Sequence, residues 1–293
     1  MDWPEPSHLL APLLPWFERH RRSLPWRASD LERSHPDPYA VLVAEVMLQQ
    51  TQVATVIPYF EAWMARFPTL EALASAPEEA VLRAWQGLGY YRRARNLHAC
   101  AQHLHRQGWP KDRNGLQALP GLGPYTAGAV AALAFQAPEP ALDGNLFRVL
   151  ARLLALEGDP RRQARALEAW LRSGLQALGP SRTLQGLMEL GSLICTPQRP
   201  ACSTCPMAQL CRAHQQGRET TLPPPRPRTP FKEERLWLVA VNAQGHFLLR
   251  KPKTRGLLAG LWCWPTLPEP VPLSMDPDPS WAFHQPVSWT QVY

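Results

Sequence analysis

Two segments with helical periodicity are joined by the stretch Leu119-Pro120-Gly121-Leu122-Gly123-Pro124-Tyr125-Thr126-Ala127-Gly128. The spacing of Gly121 and Gly123 allows a tight turn with positive φ and lets backbone N–H groups approach a ligand closely. Pro124 suits the first position of the next helix, whose N-terminus would point the same way and could bind a phosphate. The two glycines alone fit an ordinary helix end followed by a helix start equally well. The full stretch 119–128 is a more specific motif than the spacing of the two glycines alone.

Helical periodicity extends through most of the first 215 residues. Apolar residues recur at helical spacing in the segments 7–20, 38–51, 77–86, 89–107, 124–136, 144–157 and 160–178. Asp37-Pro38 supplies an N-cap and a proline for a first helical position, and Glu78 and Glu79 place acidic residues in a first turn. The sequence therefore predicts a mostly α-helical domain over residues 1–219.

The composition changes at Thr220. The prolines that crowd residues 220–232 exclude a helix or an inner strand and predict a stiff, extended linker. Beyond it, the strand-like segments 236–241 and 246–250 flank a turn at 242–245, which is the pattern of a β-hairpin. We therefore expect a second, partly β domain over residues 233–293.

Composition and charge limit the class of protein. With 45% hydrophobic and 19% charged residues among 293, the chain is predicted to be globular rather than disordered. The formal net charge of +7 favours a polyanionic partner, although many basic proteins bind no nucleic acid. The sequence shows no signal peptide and no apolar stretch long enough to span a membrane. We expect a cytoplasmic protein with no membrane partner.

Four of the six cysteines lie in one short segment. Cys195, Cys202, Cys205 and Cys211 have the spacing C-x6-C-x2-C-x5-C, and four thiolates held so close together can bind one 4Fe–4S cluster. The alternatives are a structural zinc site, which usually has two C-x2-C pairs where this segment has one, and four unrelated buried cysteines. The remaining two cysteines stand alone, so we expect no disulfide framework.

Two carboxylates occupy positions that suit catalysis. Glu45 lies in the apolar helical segment 40–48, where burial would raise its pKa towards the range of a general acid or base. The alternative is a glutamate at the exposed edge of an amphipathic helix. Asp143 directly precedes a predicted helix, where aspartate is a favoured N-cap. The alternative to a catalytic role is therefore that Asp143 only caps this helix. A capping aspartate is held rigidly and ionised, which suits an anion facing a developing positive charge.

In order along the chain, these motifs resemble the MutY adenine DNA glycosylases of the endonuclease III superfamily. The motifs are Leu24-Pro25-Trp26-Arg27, Glu45-Val46-Met47-Leu48-Gln49-Gln50-Thr51-Gln52-Val53, Gly87-Leu88-Gly89-Tyr90-Tyr91, the stretch 119–128, Leu142-Asp143-Gly144-Asn145 and the cysteine segment. The resemblance implies a two-lobed helical helix–hairpin–helix glycosylase with an iron–sulfur loop at 195–211. Residues 233–265 are similar to the start of the family's Nudix-like domain, so we expect a small, incomplete α+β domain there.

The family removes adenine that is mispaired with 8-oxoguanine, or less well with guanine, from double-stranded DNA, after the adenine has been flipped out of the stack. The resemblance implies that Glu45 protonates N7 of the adenine and then helps to activate water. It implies that Asp143 stabilises the oxocarbenium-like sugar cation. Tyr125 and Asn145 would line the same pocket, and so would Trp26 and Arg27.

The resemblance also implies the DNA contacts. Gln50 and Tyr90 match positions that enter the base stack around the mispair, although surface packing would explain both residues as well. Thr51 and Leu88, from the same two motifs, are expected to contact DNA. Gly121 and Gly123 would bind a phosphate through their backbone N–H groups. The partner is therefore expected to be duplex DNA, bound by a monomer that is associated with the nucleoid if the source is bacterial.

Tyr125 bears on the reaction type. Bifunctional members of the superfamily carry a lysine at this position, whose amine attacks the sugar, whereas a tyrosine cannot form a Schiff base. Two other functions stay open: a bifunctional glycosylase/lyase, which Tyr125 disfavours, and a non-catalytic lesion-binding or redox-sensing protein, which the presence of Glu45 and Asp143 disfavours.

The chain departs from the family's pattern in two places. The loop 28–36 is longer than expected. In the C-terminal region the family's motif for reading the oxidised base is not evident, and Ser288 is the candidate residue for this role.

Overall fold

The computed structural model describes residues 3–27 and 36–225, together with 236–237, 239, 241–250, 263–264, 266–267 and 281–284. The chain divides into two compact units, Met1–Arg226 and Pro227–Tyr293. Most of the loop 28–36 and Ser288, both considered above, lie outside the described residues. So does the segment 256–262, which is part of the region 233–265 that resembles the Nudix-like domain.

The first unit is α-helical. Its helices are α1 (Pro6–Leu10), α2 (Leu13–His20), α3 (Pro38–Met47), α4 (Val53–Arg66), α5 (Leu70–Ala74), α6 (Glu78–Ala84), α7 (Arg92–Gln107), α8 (Arg113–Gln117), α9 (Pro124–Phe135), α10 (Gly144–Leu153), α11 (Ala164–Leu178), α12 (Pro180–Glu189) and α13 (Arg212–Gln215). A π-helical turn, Leu190–Ile194, continues α12, and 3-10 turns occur at Pro160–Gln163, Cys202–Thr204 and Ala208–Leu210. Within the described part of the chain, no helix is both long and apolar enough to cross a membrane.

The predicted helical segments are confirmed, with corrections at their ends. The segment 7–20 is two helices, α1 and α2, because Pro12 has no N–H with which to continue α1. The segment 144–157 stops at Leu153, shortly before Ala155 takes a left-handed conformation with a φ of 51°. The sequence pattern did not single out α4, which contains Pro58, or α12, which begins after Gly179 with a proline at its first position.

The helices pack in two groups. Helices α3 to α9 are consecutive in sequence and form one group, in which α3 packs on α9 and α5 packs on α7. The other group combines the two ends of the unit, because α1 packs on α11 and α2 packs on α12. Helix α12 also packs on α9 and so joins the groups. This arrangement brings the segment after α2 close to the end of α12, more than 160 residues away in sequence.

The predicted linker begins later than Thr220. Leu222, which the sequence analysis assigns to the linker, is buried in the helical core with 2% of its surface exposed. Its carbonyl oxygen accepts a hydrogen bond of 2.8 Å from Nε of Arg152. The chain is therefore still packed in the first unit at Leu222.

The described part of the second unit contains strands β1 (Leu236–Trp237), β2 (Phe247–Arg250), β3 (Thr266–Leu267) and β4 (Trp281–His284). The predicted turn at 242–245 is confirmed, since the Asn242 N–H donates to the His246 carbonyl at 3.0 Å and Val241 lies opposite Phe247. Apart from these contacts at the turn, the pairing of the strands differs from that of a simple hairpin. Strand β1 pairs antiparallel with β3, and β2 pairs antiparallel with β4. The Nudix-like character of this unit stays a prediction.

Candidate active site

A cavity of about 530 Å³ lies between the two groups of helices. Residues from the segment before α3, from α3 itself, from α9, from the start of α10 and from α12 line this cavity. Among the lining residues are Trp26, Arg27, Glu45, Thr51, Tyr125, Asp143, Asn145 and Gln185. The residues predicted to form the catalytic pocket come from three separate segments of the sequence and line this one cavity: Glu45, Tyr125, Asp143 and Asn145.

Glu45 is buried in α3, with 7% of its surface exposed. Burial raises the pKa of its carboxyl from 4.5 to about 7, as expected from the apolar residues around it in sequence. The charge of Asp143 also contributes to this rise, whereas a hydrogen bond from Tyr125 and the charge of Arg27 oppose it. At neutral pH the carboxyl is therefore poised between its protonated and ionised forms.

Tyr125 stands at the second position of α9, half-buried and directed towards α3. Its hydroxyl donates a hydrogen bond to the Glu45 carboxylate. Burial and the adjacent carboxylate together hold the pKa of the Tyr125 hydroxyl well above its ordinary value, so it stays a donor. The packing of α3 on α9 fixes this pair, and a 3.1 Å hydrogen bond from Nε2 of Gln49 to Oγ1 of Thr126 joins the turn after α3 to α9 nearby.

Asp143 is the N-cap of α10, as predicted. Its Oδ1 accepts a 2.7 Å hydrogen bond from the Leu146 N–H, and its Oδ2 accepts one of 3.1 Å from Nδ2 of Asn145. Two donors on one carboxylate fix its orientation. Asp143 thus has the structural role that the sequence analysis considered, and it also lines the cavity.

A buried ion-pair network at the cavity wall was not found by sequence reasoning. Glu189, at the end of α12, is fully buried and accepts hydrogen bonds from Arg27 at 2.5 Å and from Arg22 at 2.8 Å. The network places the Arg27 guanidinium close enough to Glu45 to lower the pKa of that carboxyl. The signal was present in the sequence, because Glu189 stands among apolar residues just as Glu45 does.

Four of the residues predicted to contact DNA, Gln50, Thr51, Leu88 and Tyr90, lie in two turns. Of these four, Thr51 lines the cavity. Gln50 follows α3 and is exposed, and Tyr90 precedes α7 with 56% of its surface exposed. Both have positive φ angles, 58° for Gln50 and 48° for Tyr90, which is uncommon for residues other than glycine. Leu88 is 7% exposed and packs beneath the second turn, so only a small part of it is open to a ligand.

The two glycines of the stretch 119–128 differ in conformation. Gly121 has a φ of 77°, and a Cβ at this position would lie 2.4 Å from Cβ of Asn96, so both space and backbone require glycine. Gly123 has an ordinary φ of −80°, which corrects the expectation that both glycines use positive φ. It is the N-cap of α9, and the space where its Cβ would stand is open. A ligand can therefore approach the backbone there.

The four predicted cluster ligands come together beside α10. Cys195, Cys202, Cys205 and Cys211 line one small pocket and are all free thiols. Two buried arginines of α10 hold the segment. Arg148 donates to the Cys195 carbonyl at 2.8 Å, and Arg152 donates to the Thr196 and Pro197 carbonyls at 2.7 and 2.8 Å.

The donor set fits an iron–sulfur cluster better than a single zinc ion. Among the described residues, the three possible ligand atoms that lie within 4.8 Å of one another belong to Cys202, His214 and Glu219, not to any three of the cysteines. The thiols are thus spread more widely than one zinc ion with bonds of about 2.3 Å requires. Burial, with the repulsion of the other thiolates, raises the pKa of the Cys205 thiol to about 12, so thiolates here need a cationic metal centre.

Comparison with known protein families gives two matches. Residues 43–173 match the HhH-GPD superfamily of base excision DNA repair proteins, and residues 195–211 match the iron–sulfur binding domain of endonuclease III. The second match runs from the first to the last of the four cysteines. The chain therefore carries a 4Fe–4S cluster, and the matched segment contains all four of these cysteines.

Individual proteins agree with the family matches. The chain is 46% identical over 223 residues to the adenine DNA glycosylase of Rattus norvegicus, covering 72% of this chain and 43% of that protein. It is 41% identical over 213 residues to the adenine DNA glycosylase of Mycolicibacterium smegmatis, covering 70% of this chain and 69% of that protein. A solved thermostable thymine-DNA glycosylase superimposes with a TM-score of 0.63 at 25% identity, covering 72% of this chain and 97% of that one. The chain thus spans less than half the length of the mammalian relatives that it matches.

Proposed function

The chain belongs to the adenine DNA glycosylases of the HhH-GPD superfamily, and we propose that it removes adenine mispaired with 8-oxoguanine, or with guanine, from duplex DNA. The observation that carries the proposal is the pairing of a buried acid and a capped carboxylate in one cavity, Glu45 with a pKa of about 7 and Asp143. This is the pair of groups that N-glycosidic bond hydrolysis requires, a proton donor and an anion.

Glu45 is the proton donor. A flipped adenine in the cavity is a poor leaving group until its ring, at N7, is protonated. With a pKa of about 7, the Glu45 carboxyl is protonated in about half of the molecules at neutral pH and gives up its proton readily. Tyr125 holds the carboxyl in place through its hydrogen bond. After the base has departed, the same carboxylate is placed to accept a proton from the attacking water.

Asp143 faces the positive charge that develops on the sugar. Its two hydrogen bonds, from the Leu146 N–H and from Asn145, hold the carboxylate in one orientation before the reaction begins. Preorganised charge is more effective than charge that must reorient during the reaction. Asn145 therefore acts through Asp143, whose carboxylate it orients, and it also lines the cavity.

Duplex DNA is the proposed partner, and water is the proposed nucleophile. The net charge of +7 and the open backbone at Gly123, at the N-terminus of α9, suit the phosphates. Gln50 and Tyr90 project from their turns where they can enter the base stack. Tyr125 supplies no amine, so the enzyme leaves an abasic site rather than a cut strand. The 4Fe–4S cluster, when bound, anchors the segment 195–211.

A cleavage assay tests this function. A duplex with one 8-oxoguanine:adenine pair is incubated with the protein and then divided, with and without hot alkali. Strand cleavage should require the alkali, and a Glu45→Gln variant should give none in either half. Cleavage without alkali, together with borohydride trapping of the protein on DNA, would show a bifunctional lyase. Tight binding without base release would show a non-catalytic lesion-binding protein.

A further inference from the structure

Arg93, in the first turn of α7, binds two separate turns of the first unit at once. The four N–H groups on its two terminal nitrogens are shared among five backbone carbonyls within hydrogen-bond distance, those of Val46, Met47, Gln49, Leu88 and Gly89. The first three belong to the end of α3 and the turn after it, and the last two belong to the turn before α7. Oγ1 of Thr51 accepts further hydrogen bonds from the guanidinium at 3.3 and 3.4 Å.

The bound carbonyls are the ones that orient the two exposed turn residues. The Gln49 carbonyl belongs to the peptide plane before Gln50, and the Gly89 carbonyl belongs to the plane before Tyr90. Each of these planes sets one side of a φ angle that is positive, 58° at Gln50 and 48° at Tyr90. Such angles are unfavourable for residues with a Cβ and persist only where the surroundings hold them. One guanidinium therefore supports both unfavourable conformations.

Aromatic rings enclose the same guanidinium. Its central carbon lies 5.3 Å from the centre of the Trp85 ring and 5.5 Å from that of the Tyr90 ring, within range of cation–π attraction. Trp85 is fully buried, and its Nε1 also donates to the Gly89 carbonyl at 3.0 Å. A lysine could not replace this arrangement, because an ammonium group donates from a single point, whereas the planar guanidinium spans both turns.

We propose that Arg93 is a positioning residue that holds Gln50 and Tyr90 at a fixed separation, so that both side chains enter the DNA together when the adenine leaves the stack. This inference rests on the proposed function for its biological meaning. When both side chains enter the stack as one rigid unit, the entropic cost of ordering two mobile turns is avoided. Base flipping itself already costs the free energy of unstacking and unpairing the adenine.

The first test compares variants on two substrates. Arg93→Lys and Arg93→Gln should slow single-turnover excision from an 8-oxoguanine:adenine duplex by at least about tenfold. The loss should be several-fold smaller when the adenine lies opposite a reduced abasic site, because no partner base has to be unpaired there. Arg95→Gln is the matched control, since Arg95 lies on the same helix and pairs with the exposed Glu78. Equal losses on both substrates, or a similar loss with the control, would overturn the proposal.

A double-mutant cycle tests whether Arg93 acts through the two turns. In a Gln50→Ala/Tyr90→Ala background, Arg93→Lys should cause little further loss, because the side chains that it positions are absent. A loss as large as in the wild-type background would mean that Arg93 acts elsewhere, and the proposal would be wrong.

A measurement on the free protein separates this inference from the proposed function. Hydrogen–deuterium exchange should rise at least about tenfold at residues 49–52 and 88–91 in Arg93→Lys, while exchange in α9 and α10 stays as in the wild type. This result would support the positioning role even if the wild-type protein released no adenine. Unchanged exchange at both turns would overturn it, whatever the excision rates. If Arg93→Gln does not fold, Arg93→Lys carries the test.

Discussion

The hydroxyl of Tyr125 donates a hydrogen bond to the carboxylate of Glu45, across the contact between α9 and α3. Burial of Glu45 and the charge of Asp143 both raise the pKa of the Glu45 carboxyl, and this hydrogen bond opposes them. Tyr125 therefore does more than occupy the position at which bifunctional members of the superfamily carry a lysine. It favours the ionised form of Glu45 and so helps to keep the pKa of the carboxyl near neutrality.

Replacing Glu45 with glutamine should abolish adenine excision and leave binding to mispaired DNA largely intact. Glutamine keeps the shape of the side chain and loses the proton, and acid catalysis of this kind contributes roughly 10²–10⁴-fold. Single-turnover excision and duplex affinity, measured on the same preparation, check both parts. A fall in rate of less than about tenfold would mean that Glu45 is not the essential acid.

The same variant should alter the pH dependence of stability. The pKa of Glu45 is raised from 4.5 to about 7 by folding, so its contribution to stability is present below pH 4.5 and is lost as the pH rises through 7. At pH 8.5 the wild-type protein holds a buried carboxylate, at a cost of up to about 3 kcal/mol. Glu45→Gln should therefore gain stability relative to the wild type between pH 5.5 and 8.5. Denaturation midpoints measured across this range check it, and a constant difference would contradict it.

Replacing Tyr125 with phenylalanine should move the pH profile of excision. The hydrogen bond from Tyr125 lowers the pKa of Glu45, so its removal raises that pKa and extends the protonated form to higher pH. The descending, basic side of the profile should shift upward, while the rate at low pH changes less. Single-turnover rates from pH 5.5 to 9.5 measure this, and a downward shift would show that Tyr125 acts on Glu45 in another way.

Sequence reasoning selected Glu45, Asp143 and the four cysteines because each of them carries a local signal. Glu45 stands in an apolar helical segment, Asp143 precedes a helix, and the cysteines crowd one segment. These signals need only neighbours in the chain. The N-cap of Asp143 and the burial of Glu45 are both present in the structure.

Residues that act through distant partners were missed. Glu189 meets Arg27 across 162 positions, and Arg93 meets Val46 across 47, so no local pattern indicates either contact. The positive φ angles of Gln50 and Tyr90 were equally hidden, because the contacts of Arg93 hold them and neither residue is a glycine. Helix periodicity also missed the break at Pro12, where one proline outweighs a continuous apolar pattern.

Glu189→Gln should destabilise the protein and also move the pH profile. Removing one partner of a buried ion pair leaves the others without their counter-charge, at a cost of about 3 kcal/mol. Arg27, no longer neutralised, should favour ionised Glu45 more strongly, so the basic side of the excision profile should shift downward. Glu79→Gln is the control, because the ion pair of Glu79 with Arg83 is exposed, and it should change neither quantity. If Glu189→Gln lowers stability without a shift in the profile, the network is structural alone.

The cluster makes a prediction about metal content. Anaerobically purified protein should contain iron and sulfide at about four each per chain. Cys211→Ser should lose most of both, together with the broad visible absorption of the cluster. Cys100→Ala is the matched control, since Cys100 is buried in α7 away from the other thiols, and it should keep full iron content. Zinc at one per chain without iron would contradict the assignment.

The last prediction concerns the choice of mispair, and it rests on the expectation that residues 233–293 form a partial Nudix-like domain that reads the oxidised base. The catalytic residues and the stretch 119–128 all lie in the first unit, so a variant lacking 227–293 should still release adenine. The cut belongs after Arg226 rather than at Thr220, because Leu222 is buried and its carbonyl binds Arg152. Discrimination is a difference of affinities, and the loss of one or two polar contacts to the oxidised base would lower the preference for 8-oxoguanine:adenine over guanine:adenine by about 10- to 100-fold. Excision rates and affinities for both duplexes, compared between the whole chain and the shortened one, measure this ratio. If the ratio is the same in both proteins, residues 227–293 do not read the lesion.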